Sequence, residues 1–150
     1  MRWTRSLGVA AVAVIGIGIG IGTAAAQGLD PAKVTQPAGV ALADGDPAAL
    51  RARGQELFDD PSIGESGLSC NTCHQNFGQY KQTFAQPYPH FVNMAKAKAG
   101  LAQVNAAEMV QLCMVVPMQT EPLDWRSREL AALAAYVAQE RKAFAARSQK

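Results

Sequence analysis

Histidine and cysteine are scarce in this chain, with two His and three Cys in 150 residues. Outside one short stretch at 70–74, only His90 and Cys113 remain. A structural zinc site needs four such ligands, normally in two spaced pairs, and no second pair is present. An excess of charge of one sign is also missing, since 14 Lys and Arg stand against 12 Asp and Glu. A nucleic-acid partner would require a basic face, and so balanced a chain gives little long-range steering toward a strongly charged partner. No internal repeat is visible and no segment alternates in the manner of a strand. The absence of strands removes the βαβ context that a thioredoxin-like Cys pair requires.

What is present is Cys70-Asn71-Thr72-Cys73-His74, the C-x-x-C-H signature of c-type haem attachment. Two thiols three positions apart can each add to one vinyl group of a single porphyrin. The histidine that follows is then delivered to the iron as proximal ligand. A Cys70–Cys73 disulfide would leave His74 unexplained. Gly64, Ser66, Gly67 and Ser69 form a polar, flexible approach, and Asn71 and Thr72 are small enough to let the backbone pass close to a ring. The expected cofactor is one covalent haem c, held by Cys70 and Cys73 with His74 on the iron. No second such motif exists.

Residues 1–26 have the build of a secretory signal. Arg2 and Arg5 are the positive start, Leu7 to Gly22 the apolar stretch, and Ala24-Ala25-Ala26 a small-residue cleavage site before Gln27. The apolar stretch is Gly-rich and short for a membrane span. Removing 26 of 150 residues leaves 124, one domain's worth. Losing two arginines brings Lys and Arg from 14 to 12, equal to the acidic count. Export to the periplasm fits the haem, because bacteria attach c-type haem outside the cytoplasmic membrane. It also fits an odd cysteine count, with two cysteines on haem and Cys113 left single.

Residues 27–44 mix Pro, Gly and Ala without periodicity and are expected to be an extended, mobile lead-in. The domain is expected over 45–150. Asp46 as N-cap, Pro47 at N1 and the spacing of Leu50, Gly54, Leu57 and Phe58 predict a helix that stops at Asp59-Asp60-Pro61. Gly54 and Phe58 share a face, and a mid-helix glycine, costing about 1 kcal/mol relative to alanine, suits a close helix crossing. Residues 75–90 are irregular, with Pro87 and Pro89 excluding a regular helix there. Their Phe77, Tyr80, Phe84 and Tyr88 are candidates to pack on a porphyrin. A short helix near 91–98 ends at Gly100. Asn105 with Glu108 three residues on is a capping box, opening a helix whose apolar side is Met109, Leu112, Cys113 and Val116. Pro117 ends it. A last helix runs from about Ser127 with the stripe Leu130, Leu133, Tyr136, Val137 and Phe144. The fold class is all-α, helices wrapped round one haem.

The sixth iron position has several candidates, of which Met118 is the expected ligand and Cys113 the alternative. Met118, after Pro117 on a loop, offers a thioether that raises the potential of an electron-carrying haem. Cys113, five residues earlier, offers a thiolate that lowers it and can react with sulfur compounds. His90 would give bis-histidine ligation, Met114 neighbours Cys113, and the position could stay open.

Two resemblances rest on these residues. Gly54 and Phe58, Cys70-x-x-Cys73-His74, Met118, and Leu-Ala-Ala-Leu-Ala-Ala-Tyr136-Val stand in the order of class I cytochrome c, over nearly all of 46–140. That resemblance implies a small cytochrome c fold in which the first and last helices cross at Gly54 near Tyr136, with Met118 as distal ligand. The chain is more closely similar to the haem domains of thiosulfate dehydrogenases and related sulfur-oxidising cytochromes. The matching residues are Ser66-Gly67-Leu68-Ser69 before the haem motif, Pro87-x-Pro89, Cys113-x-x-x-x-Met118, Pro122-Leu123 and Ser127-x-Glu129. This resemblance implies that a cysteine at position 113 can be the haem ligand, sometimes chemically modified. Those enzymes usually carry two haems, and they tend to hold an arginine and a serine where this chain has Met114-Val115-Val116-Pro117. The missing arginine removes an anion clamp for a sulfur oxyanion. The expected function is single-electron transfer between redox partner proteins. The alternative is the haem subunit of an enzyme that oxidises a thiosulfate-type compound, working with a membrane-bound or multihaem partner.

Overall fold

A computed structural model describes residues 28–149. The expected signal segment and its cleavage site lie outside them. Five α-helices are present among the described residues: α1 (Pro47–Asp59), α2 (Cys70–His74), α3 (Asn93–Ala99), α4 (Ala106–Val115) and α5 (Arg128–Arg147). Short 3-10 turns fill the connections at Pro31–Lys33, Pro61–Ile63, Gln75–Phe77 and Gln82–Ala85. Outside the helices, backbone pairing among the described residues is one antiparallel bridge, His90 to Val104. The all-α class is as expected. None of the described helices is long and apolar enough to cross a membrane.

The helix boundaries follow from local chemistry. Asp46 accepts from Ala49 N at 2.8 Å to open α1, with Pro47 behind it. Asn105 and Glu108 form the expected reciprocal box on α4, at 2.9 and 2.8 Å. Ser127 caps α5 through Leu130 N at 3.2 Å. Gly100, at φ +70°, ends α3 in the left-handed conformation that glycine tolerates best.

The packing of α1 across α5 is the main framework. A Cβ on Gly54 would run into the backbone oxygen of Ala132 and lie 2.7 Å from Tyr136 Cβ, so the helices touch where α1 has no side chain. Phe58 and Tyr136 close the crossing edge to face, ring centroids 5.2 Å apart. The core around it joins Leu57, Phe58, Phe84, Val110, Met114, Met118, Leu130 and Leu133.

A second cluster joins Val34, Ala95, Ala99, Val104 and Leu112. It corrects the expectation of a loose lead-in at 27–44. Val34 is fully buried, and Leu29 N donates to Lys98 O at 2.9 Å. Gln36 receives Asn105 Nδ2 on its side-chain oxygen at 3.0 Å, while its backbone N–H donates to Glu108 at 3.0 Å. The residues that cap α4 therefore also fasten the lead-in. The apolar side of α4 is likewise wider than the stripe read from spacing. Ala107, Val110 and Met114 face one cluster, while Leu112, with Met109, Val115 and Val116, faces the other.

Candidate functional site

The haem motif is itself the short helix α2. Ser69 Oγ accepts from Thr72 N at 3.2 Å, and Thr72 Oγ1 accepts from Ser69 N at 3.0 Å. Thr72 thus does more than stay small: it is half of a capping box that holds five residues in helical turns. This was not legible beforehand, because both positions of the box lie in or next to the motif and were read for flexibility and size. Cys70 and Cys73 are free thiols, one half-buried and one exposed.

His74 is half-buried behind Cys73. Its Nδ1 lies 3.1 Å from the carbonyl oxygen of Gly78. A carbonyl can only accept, so Nδ1 carries the proton and the Nε2 lone pair is left for a metal. Burial lowers the imidazole pKa, partly offset by that hydrogen bond, which favours the neutral ligating form. Gly78 fits here because a Cβ would sit 2.9 Å from Cys73 O. Tyr80 stacks on His74 with centroids 4.2 Å apart, and Phe84 stacks on Tyr80 at 3.9 Å. Phe77, Tyr80 and Phe84 all meet Phe144 of α5. The aromatics of 75–90 are therefore a wall tying the proximal histidine to the last helix.

The candidate distal residues are placed differently from one another. Cys113, near the end of α4, keeps part of its surface accessible. Even so, its thiol is pushed up to about 12, chiefly by burial, with Cys70 and Cys73 near enough to add repulsion. Cys70 is pushed up to about 11, again chiefly by burial. Cys70, His74, Tyr80, Tyr88 and Cys113 are all half-buried, and burial is the chief cause of the shift in the pKa of each.

Met118 is 2% exposed and belongs to the closed core. Its backbone oxygen accepts from both Glu65 N and Ser66 N at 3.1 Å, and its N–H donates to Cys113 O at 3.1 Å. Gly64 lies against it, where a Cβ would come within 2.8 Å of Met118 Cβ and 3.2 Å of Cε. Met118 thus clamps the loop before the haem motif to the end of α4. Met114 is buried in the same core. His90 is buried and stacked on Tyr88 with centroids 4.3 Å apart.

Gln111 is a further positioning residue that spacing did not reveal. It is fully buried, and its amide donates to Leu123 O at 2.6 Å and accepts from Leu123 N at 2.8 Å. This pins the loop after Pro117 back onto α4. A glutamine inside an apolar helical stretch was the available signal.

These residues fit a c-type haem. Two thiols lie on one helical turn, an imidazole has its Nε2 left for a metal, and a third thiol, Cys113, lies near enough to both for their charges to act on it. The model of the SoxA/TsdA cytochrome c domain matches residues 53–143. The chain belongs to this family. As a member it is a haem c electron-carrying protein, with the link to sulfur oxidation that the family carries. No curated protein and no solved structure matches the chain.

Proposed function

We propose that the chain is an exported, monohaem cytochrome that passes single electrons between redox partner proteins, its haem tethered by Cys70 and Cys73 and ligated by His74 and Cys113. The observation that supports this reading is that the single remaining cysteine is half-buried on α4, near enough to Cys70 and Cys73 of the capped C-x-x-C-H turn for their charges to act on it. Met118 is the other sulfur in reach by sequence, and its burial under Gly64 favours a structural part for it.

When bound, haem c supplies a one-electron couple whose potential the axial sulfur sets. The protein's share is to tether, to hold the His74 tautomer through Gly78, and to exclude water with Tyr80, Phe84 and Phe144. The test is haem retention and stoichiometry. Protein expressed from the full chain, so that its signal can direct export, should keep its haem through acid extraction, and reductive titration should take up one electron per chain. Haem lost to extraction, or two electrons per chain, would contradict the proposal.

A second reading is favoured by Cys113 together with the family. Here the chain is the haem subunit of an enzyme oxidising a thiosulfate-type compound. Joining two thiosulfates through a new S–S bond releases two electrons, while one haem takes one, so this activity requires a second haem from a partner or another copy. Thiosulfate-dependent acceptor reduction that persists at wild-type rate in Cys113→Ala would rule it out.

A further inference from the structure

The turn that follows the haem motif is strained, and its glycine does not relieve the strain. Asn76, Phe77 and Gln79 hold φ of 54°, 64° and 61°, the left-handed region that is costly for any residue with a Cβ and that bulky residues seldom enter. Gly78, between them, has an ordinary φ of −57°. Its missing side chain serves close approach instead, since a Cβ there would lie 2.9 Å from Cys73 O and 3.1 Å from Gln75 O. Tucked in this way, Gly78 donates from N to Gln75 O at 2.9 Å, and its own oxygen accepts from His74 Nδ1 at 3.1 Å.

A strained backbone persists only where its surroundings over-determine it. Asn76 and Gln79 are exposed, whereas Phe77 is half-buried. Its ring meets Phe144 of α5 edge to face with centroids 5.8 Å apart, and Tyr80 at 6.4 Å. The Arg147 guanidinium lies over the same ring, 5.6 Å from its centroid, within range of a cation–π attraction. The last turn of α5 therefore grips the one side chain of the strained turn that is packed. We infer that Phe77 is a positioning residue for the proximal ligand. Helix α5 holds its ring, the ring holds the left-handed turn, and the turn keeps Gly78 O on His74. This rests on His74 being the proximal ligand, but not on which sulfur lies opposite. A carbonyl on Nδ1–H fixes the imidazole's orientation and makes it a stronger donor, which favours ferric iron. Relaxing the turn should raise the midpoint potential.

Haem-loaded wild type, Phe77→Ala, Phe77→Gly, Phe77→Tyr, Phe144→Leu and Asn105→Ala are compared by midpoint potential and by the rate at which His74 Nδ1–H exchanges with solvent, followed by proton NMR of the reduced protein. Phe77→Ala removes the peg and keeps the strain, so exchange should be faster by about tenfold or more and the potential higher. Phe77→Gly removes both, and glycine accepts the left-handed backbone unaided, so its two readings should fall between Phe77→Ala and wild type. A residue that mattered only for packing would give the reverse order, because glycine is the smaller and the more flexible. Phe77→Tyr keeps the ring and should match wild type. Phe144→Leu loosens the peg from the α5 side and should follow Phe77→Ala, and it carries the test should Phe77→Ala load haem poorly. Asn105→Ala, which removes the cap of α4, should move neither reading. The inference is overturned if exchange and potential stay unchanged in Phe77→Ala and Phe144→Leu, if Phe77→Gly lies no closer to wild type than Phe77→Ala, or if Asn105→Ala shifts both readings equally. Wild type that retains no covalent haem would overturn the haem reading, and this inference with it.

Discussion

Single atoms decide the most sensitive positions in this molecule. Gly54 lets two backbones meet, since a Cβ there would run into Ala132 and against Tyr136. Gly54→Ala should therefore destabilise the haem-loaded protein by about 3 kcal/mol, the upper end of ordinary overpacking, since backbone cannot step aside as a side chain can. Guanidinium unfolding measures this, and a change under about 1 kcal/mol would mean the helices separate freely. This contact was legible in advance through the landmark order shared with class I cytochrome c, which implies Gly54 packing near Tyr136. The choice between Cys113 and Met118 was not. Both are sulfurs near the end of one helix, and spacing does not say which stays half-buried and which is closed in under Gly64, far away in the sequence. Thr72 and Gln111 were missed for a related reason: their roles depend on partners whose positions only the folded chain fixes.

At the level of elements, α4 packs on α5 and fastens the lead-in. It carries Cys113, its start is capped by Asn105 and Glu108, and the same two residues hold Gln36 of the lead-in. Asn105→Ala should cost about 1 kcal/mol as a lost cap and should also release the lead-in. Limited proteolysis would then cut within 28–44 faster in the variant than in wild type, and equal rates would show that Val34 alone holds the segment. The helices and their ends were readable because caps, prolines and apolar spacing are local signals. The lead-in was misread because its anchoring is not periodic. One buried valine and one glutamine fix it, and neither stands out in a stretch of Pro, Gly and Ala.

At the scale of the whole molecule, the proposed protein is one exported chain with one tethered haem and one sulfur left over. Intact mass under denaturing, alkylating conditions should show the chain beginning at Gln27, one haem, and a single modified thiol at Cys113. Three modified thiols would mean no covalent haem, and a retained signal would mean an anchored protein. The family and fold class were legible from a motif and a landmark order, because covalent haem attachment demands a fixed local sequence. The direction in which the distal sulfur points is a property of the assembled molecule, and it is the central claim. The most direct measurement is the ferric absorption spectrum of haem-loaded wild type beside Cys113→Ala and Met118→Ala. The prediction is that the weak long-wavelength band of methionine-ligated ferric haem is absent, that Cys113→Ala changes the Soret region, and that Met118→Ala does not. A long-wavelength band in wild type that disappears only in Met118→Ala would contradict it and make Cys113 a core residue.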